Sequence, residues 1–211
     1  MHDLLKSAYT DSLKSVVMNS ESDQDTLRSA ITDLGEEIGK KIIENYFVTE
    51  KAFKTPMMVE VAGLYPSIPL CAIVTTRDDF SFLGKGLTKK IKNSIAGYMD
   101  FEGRRGIQAL NTGISHLELP ELKGESIHTL IVGKAVLATG CTAIHLTKTA
   151  IKRCMPRHVV ICSIFYTEEA IAELRRELPN ADIMVVGDPD QLNDDGMLTP
   201  GVGNLDLRLC A

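Results

Sequence analysis

Tryptophan is absent from this 211-residue chain, aromatic residues make up only 5% of it, and it holds no long hydrophobic run. A membrane-spanning helix needs ~18 or more consecutive apolar residues, and no segment approaches that. The opening Met1-His2-Asp3-Leu4-Leu5-Lys6 lacks the basic-then-apolar order of a secretory signal. Cysteine is sparse and odd in number. Cys71, Cys141, Cys154, Cys162 and Cys210 are scattered without a CxxC pair, so neither a disulfide framework nor a zinc site is indicated. Cys71 and Cys162 lie in apolar runs and read as buried thiols. His116, His128, His145 and His158 fall in four different predicted elements and do not make a metal set. Positive charge is also short. A net charge of −5 leaves no electrostatic footprint for nucleic acid. The Gly-x-Ser-x-Gly elbow of a triad hydrolase is missing. These absences point to a protein of the reducing cytoplasm that binds neither membrane nor nucleic acid.

What is present is a regular α/β rhythm, 44% hydrophobic and 24% charged, suited to a single domain over residues 1–211. Residues 1–22 read as a helical arm. Leu27, Ile31, Leu34, Ile38 and Ile42 recur at spacings of four and three, which predicts a helix over 25–46 packed on a sheet. Glu36 with Lys40 and Glu37 with Lys41 are expected to pair on its outer face. An extended piece is expected from Met57 to Ala62. Ile68-Pro69-Leu70-Cys71-Ala72-Ile73-Val74 is apolar throughout, the mark of a strand covered on both faces in a parallel sheet. It ends in Thr75-Thr76-Arg77-Asp78-Asp79, where α/β proteins place ligands. A helix over 82–94 follows, whose Lys85, Lys89, Lys90 and Lys92 read as a solvated basic face. A strand near 96–101, a Gly- and Arg-rich loop, and a return over 114–119 suggest a projecting hairpin over 96–120, placed to act as a lid.

The C-terminal half alternates cleanly. Strands are expected at 128–132, 159–165 and 183–186, with helices over 144–154 and 167–178, the last capped by Thr167. Short links between alternating elements imply right-handed crossovers and a parallel sheet. The tail carries Leu192-Asn193 and Pro200-Gly201-Val202-Gly203-Asn204 between apolar flanks, so it is expected to be tied down.

The stretch with most chemistry is Ala138-Thr139-Gly140-Cys141-Thr142-Ala143, a small-residue turn between strand and helix. Such a turn leaves unpaired N–H groups at a helix N-terminus, where the peptide dipoles favour an anion. Thr139 and Thr142 add hydroxyl donors. No Walker spacing is present. An ordinary strand-to-helix turn with Thr142 as the N-cap is the plainer alternative.

Two segments together resemble the uracil phosphoribosyltransferases. The family's D-P-M-L-A-T-G-G-S-A is matched by Lys134-Ala135-Val136-Leu137-Ala138-Thr139-Gly140-Cys141-Thr142-Ala143, and its late L-N-x-x-G-x-x-x-P-G-x-G-D-A-G-D-R by the run from Leu192 to Arg208. Thr75-Thr76-Arg77 is similar to its I-L-R diphosphate loop, and His116-Leu117-Glu118-Leu119-Pro120 to its Y-x-K-L-P hairpin end. The resemblance implies a type I phosphoribosyltransferase fold, a parallel sheet flanked by helices with a small β-hairpin hood. It implies joining uracil, or a related pyrimidine-like base, to 5-phosphoribosyl 1-diphosphate (PRPP), usually with Mg2+ and as a homo-oligomer, dimer or tetramer. On that reading Ala138, Thr139, Gly140, Cys141 and Thr142 hold the ribose 5-phosphate. Arg77 and Arg104 (or Arg105) meet the diphosphate, and Lys134, where this chain departs from the family, is a further candidate for it. The main chain of Thr199, Pro200, Gly201, Gly203 and Asn204 reads the base.

This chain departs from the family pattern at charged positions. Lys134 replaces an acid, Glu118 a lysine, Asn204 an aspartate, and Arg77-Asp78-Asp79 replaces Arg-Ala-Gly. Two unit charges ~4 Å apart at an effective dielectric of ~20 interact by about 4 kcal/mol, so the reversal at Lys134 is not passive. Either Lys134 binds the diphosphate while Asp78 or Asp79 takes the metal, or the ligand differs, or activity is lost and the chain senses a nucleotide. Pairing of Lys134 with Glu118 across the cavity mouth is the remaining alternative.

Overall fold

The computed structural model describes residues 2–101, 116–118 and 126–210. The chain begins with a strand, β1 (His2–Leu5), not with the expected helical arm. Four residues carry no readable period, and their state is decided by the open edge of the sheet they join. Ser7 then caps α1 (Ala8–Met18), its hydroxyl accepting from the Thr10 amide while the Thr10 hydroxyl accepts from the Ser7 amide. Asp23 caps α2 (Gln24–Tyr46) by accepting from the Thr26 amide. The stripe from Leu27 to Ile42 is buried as its spacing requires.

β2 (Val48–Lys54) and β3 (Glu60–Pro66) form an antiparallel hairpin. The expected extended piece began too early. Thr55, Met58 and Val59 close the turn, with the Met58 amide donating to the Thr55 carbonyl at 2.8 Å. In β4 (Cys71–Thr76) every residue is buried, as its unbroken apolar run predicts. The next helix starts at once, five residues before its expected position. It runs as α3 (Arg77–Asp79), a wide π-helical turn (Phe80–Gly84) and α4 (Lys85–Lys90). A Cβ on Gly86 would lie 2.2 Å from the Thr32 carbonyl oxygen, so α4 and α2 meet backbone to backbone. Lys89 and Lys90 are not a free basic face. Both bind Glu36 of α2, at 2.5 and 2.8 Å, while Lys40 pairs with Glu37 and Lys41 with Glu44. The seam thus takes the carboxylate expected to pair along α2.

β5 (Ser94–Asp100) is met by the antiparallel β6 (His116–Glu118), in line with a returning hairpin; the residues between them lie outside those described. Then follow β7 (Thr129–Gly133), β8 (Val136–Leu137), α5 (Cys141–Cys154), β9 (His158–Ser163), β10 (Phe165–Tyr166), α6 (Glu168–Glu177) and β11 (Asp182–Val186). Thr167 caps α6 as expected, accepting from the Ala170 amide. The tail folds as β12 (Gln191–Leu192), β13 (Leu198–Thr199) and α7 (Leu205–Cys210).

Among the described residues the main sheet has seven strands in the order β1-β11-β9-β7-β4-β5-β6, parallel except for β6. On one face the core is built with α1, α2, α4 and α7 (Val17, Leu34, Ile38, Leu87, Leu209), and on the other with α5 and α6 (Leu146, Ala150, Ile171, Leu174). The fold is an α/β parallel sheet flanked by helices. A short parallel pair, β8 with β10, stands beyond the ends of β7 and β9. No described helix is long and apolar enough to cross a membrane.

Candidate active site

Strands that run parallel deliver their C-terminal ends to one crest, and the loops leaving them enclose a cavity of about 400 Å³ there. The turn between β8 and α5 forms one part of its lining, with Ala138, Thr139, Gly140, Cys141 and Thr142 all facing it. Gly140 is the N-cap, at φ 76°, and among the described residues no side chain caps α5. Thr142 is therefore inside the first turn, and its hydroxyl is not spent as a cap. A Cβ at Gly140 would meet the Ala170 carbonyl oxygen at 3.2 Å, so this position is glycine for both conformation and space. The turn is braced from outside. The Thr167 hydroxyl donates to the Ala138 carbonyl at 2.7 Å and the Thr167 amide to the Leu137 carbonyl at 3.2 Å. One threonine thus caps α6 and holds the neighbouring turn.

Thr76, Arg77, Asp78, Asp79 and Lys134 also line the cavity. Lys134 Nζ lies 2.7 Å from Asp79 Oδ2, with the two side chains 16% and 6% exposed. The Thr76 hydroxyl donates to the same oxygen at 2.7 Å. The alternative that joined Lys134 to Glu118 is overturned. Glu118 stands opposite Tyr98 in the β5–β6 register, and its hydrogen bond to that phenol raises the Tyr98 pKa. Arg77 Nη1 donates to Asp100 Oδ2 at 2.9 Å. Arg104 and Arg105 lie outside the described residues.

The tail contributes a third part of the lining. Gly203 faces the cavity, joined by Met197, Leu198, Val202, Leu205 and Asp206, which sequence reasoning did not single out. Thr199, Pro200, Gly201 and Asn204 are not among the described lining residues and frame the loop instead. Thr199 pairs with Gln191, the Thr199–Pro200 peptide is cis, Gly201 is buried at φ 62°, and Asn204 accepts from the Leu207 amide. Met197, Leu198 and Leu205 carried a signal as apolar flanks of the Pro-Gly loop, Val202 stands inside it, and Asp206 was visible only as part of the run matched to the family.

Among the described residues no group of three or more His, Cys, Asp or Glu side chains is placed to hold a metal ion. Of the carboxylates lining the cavity, Asp79 and Asp100 are already paired with cations, Asp206 is half-buried in the tail, and Asp78 and Asp195 are exposed. Cys71 and Cys162 are buried as expected, and burial pushes both thiols up to about 12.

A family model described as uracil phosphoribosyltransferase matches residues 4–209. The chain is 24% identical over 197 residues to a uracil phosphoribosyltransferase of Natronomonas pharaonis, covering 90% of this chain and 87% of the relative. It is 25% identical over 187 residues to one of Methanococcus maripaludis, covering 88% and 79%. Its fold is similar to that of the AQ2163 protein of Aquifex aeolicus, with a TM-score of 0.79 and 23% identity over 99% of this chain and 97% of the other. The adenine phosphoribosyl transferase of Trypanosoma brucei, solved with AMP, pyrophosphate and ribose-5-phosphate, shares the fold at a TM-score of 0.50 and 10% identity, covering 88% and 83%. With the match running over nearly its whole length, the chain belongs to the uracil phosphoribosyltransferase family.

Proposed function

We propose that this protein transfers the 5-phosphoribosyl group of PRPP to uracil or a related pyrimidine-like base, releasing diphosphate and forming a UMP-type nucleotide. The observation that carries the reading is the convergence, on one cavity, of the turn at 138–142, the charged stretch at 76–79 with Lys134, and the tail at 197–206.

Each part has a physical task. The first amides of α5 and the hydroxyls of Thr139 and Thr142 hold the 5-phosphate, where uncapped donors and the helix dipole favour an anion. Lys134 and Arg77 carry the charge that meets the departing diphosphate, each sharing it with a carboxylate already in place. The flat ring stands against Met197, Leu198, Val202 and Leu205, and the main chain at Gly203 offers an amide edge to match it. Holding ribose between a fixed phosphate and a fixed ring supplies orientation, and preorganised charge on the leaving group supplies the rest.

Mg2+ fits this donor set only as a companion of the diphosphate. It is usually held by one or two carboxylates together with phosphate oxygens and water, and Asp78 and Asp195 are the exposed carboxylates of the lining available for that. When bound it would supply counter-charge to the diphosphate. We also propose a cytoplasmic homo-oligomer.

A second reading, a nucleotide sensor without turnover, is favoured by the Lys134–Asp79 and Arg77–Asp100 pairs, which neutralise the diphosphate end. Calorimetry and thermal shift with PRPP, UMP and uracil, with and without Mg2+, separate the two alongside a diphosphate-release assay. Diphosphate released from PRPP on adding a base, and lost in Thr139→Ala with Thr142→Val, supports the transferase. UMP raising Tm without diphosphate release from any pyrimidine or pyridine selects the sensor. Binding of none of these ligands overturns both.

A further inference from the structure

A second cluster of charge lies behind the tail loop, away from the cavity lining. Asp190 follows β11 and is 8% exposed. Its amide donates to the Tyr166 carbonyl at 2.7 Å, which fixes its backbone. One carboxylate oxygen, Oδ1, accepts from the Gly201 amide at 3.4 Å. The other, Oδ2, is buried and has no hydrogen-bond partner among the described residues. A buried carboxylate with an unsatisfied oxygen is costly and calls for a compensating charge.

That charge is Lys14, on α1, also 8% exposed. Its ammonium donates to the Val186 and Asp188 carbonyls at 2.8 and 3.2 Å and stands 5.0 Å from the centre of the Phe165 ring. Burial lowers its pKa, opposed by Asp190, Asp188 and Asp11. The backbone it grips is the turn that delivers Asp190.

We infer that Asp190 is a positioning residue for the base: its carboxylate, balanced by Lys14, holds the Gly201 amide and thereby sets where Val202 and Gly203 stand relative to the phosphate turn. The inference rests on the transferase-fold reading of the cavity. Tyr166 and Thr167 make the geometry explicit. Thr167 holds the phosphate turn through Ala138, and the adjacent Tyr166 holds Asp190, which holds Gly201. One dipeptide therefore spans the two halves of the site, and the distance between a bound phosphate and a bound ring is fixed through Asp190. The N-terminal helix enters base recognition although it contributes no described residue to the cavity lining.

The test compares UMP with ribose 5-phosphate by calorimetry, and follows amide hydrogen exchange at residues 201–203. Asp190→Ala should weaken UMP about tenfold, the loss expected for one positioning hydrogen bond, and leave ribose 5-phosphate within about twofold. Exchange at 201–203 should rise while exchange at 138–142 stays unchanged. Asp190→Asn keeps an acceptor for Gly201 and should stay within about threefold of the natural protein for UMP. Lys14→Met should weaken UMP by a similar factor to Asp190→Ala, and adding Asp190→Asn should restore part of it. This arm decides the matter if Asp190→Ala does not fold. Equal losses for UMP and ribose 5-phosphate, or unchanged exchange at 201–203, would overturn the role. If the natural protein binds neither ligand, the transferase reading falls, while the exchange result still decides what Asp190 does.

Discussion

Lys134 and Asp79 illustrate how a charge reversal is accommodated. Neither side chain keeps much water, so each answers the desolvation of the other, and removing one partner leaves an uncompensated charge in the cavity wall. Lys134→Met and Asp79→Asn should each cost about 3 kcal/mol in urea unfolding, with the double variant losing at least ~1 kcal/mol less than the sum. Lys134→Met combined with Glu118→Gln should be additive, since Glu118 faces Tyr98. Additivity in the first cycle would dissolve the pair. Cysteine chemistry gives a second expectation at this scale. Cys71, Cys154 and Cys162 are buried, with thiols pushed up to about 12, 11 and 12, whereas Cys141 opens the helix at the cavity. A maleimide should label Cys141 well ahead of those three, and UMP should slow it; mass spectrometry of the labelled peptides reads both outcomes.

At the scale of elements, the seam between α2 and α4 is closed by glycines at its centre and by Glu36 at its rim. Hydrogen bonds from Lys89 and Lys90 hold the Glu36 carboxyl down at about 2. An unfolded glutamate titrates near ~4.3. The native state therefore keeps Glu36 ionised where the unfolded chain has bound a proton. The clamp's stability is fully present above that unfolded value and is lost as pH falls through about 2. Glu36→Gln should make the protein less stable at neutral pH and flatten the acid limb, the two unfolding curves converging toward pH 2; parallel curves at all pH values would remove Glu36 from the seam. The same element shows what could be read in advance. The period of α2 and the unbroken apolar run of β4 were legible because burial dictates both. β2 was not, since all seven of its residues are exposed and no alternation of burial marks it. The start of α3 was hidden because Arg77-Asp78-Asp79 reads as a polar strand end. The small-residue turn at 138–142 was visible as local chemistry, but its brace was not. Thr167 lies 29 residues from Ala138, and Asp79 lies 55 from Lys134.

Across the whole molecule, the two ends of the chain hold each other. β1 pairs with β11 at the sheet edge, and the Gly187 amide donates to the Leu5 carbonyl at 3.0 Å. From the other end, α7 sends Arg208 back to the first helix. Its guanidinium donates to the carbonyls of Val17, Asn19 and Val202, at 2.7, 2.6 and 3.1 Å, while Arg28 of α2 donates to the Leu209 carbonyl at 2.6 Å. Val202 lines the cavity, so Arg208 ties a wall of the site to the turn after α1. A guanidinium spreads its donors in a planar fork, whereas a lysine ammonium is a compact point charge on a flexible stem. Arg208→Ala should cost roughly 2–3 kcal/mol and lower Tm by roughly 5–10 °C, with Arg208→Lys recovering less than half. Hydrogen exchange should rise at residues 17–19 and 202–209 together, because one side chain joins them. An increase confined to 205–209 would mean that α7 is held by its apolar face alone. In that case Leu205 and Leu209, both 5% exposed, would be the anchors, and the tail would owe its place to the core instead of to the other end of the chain.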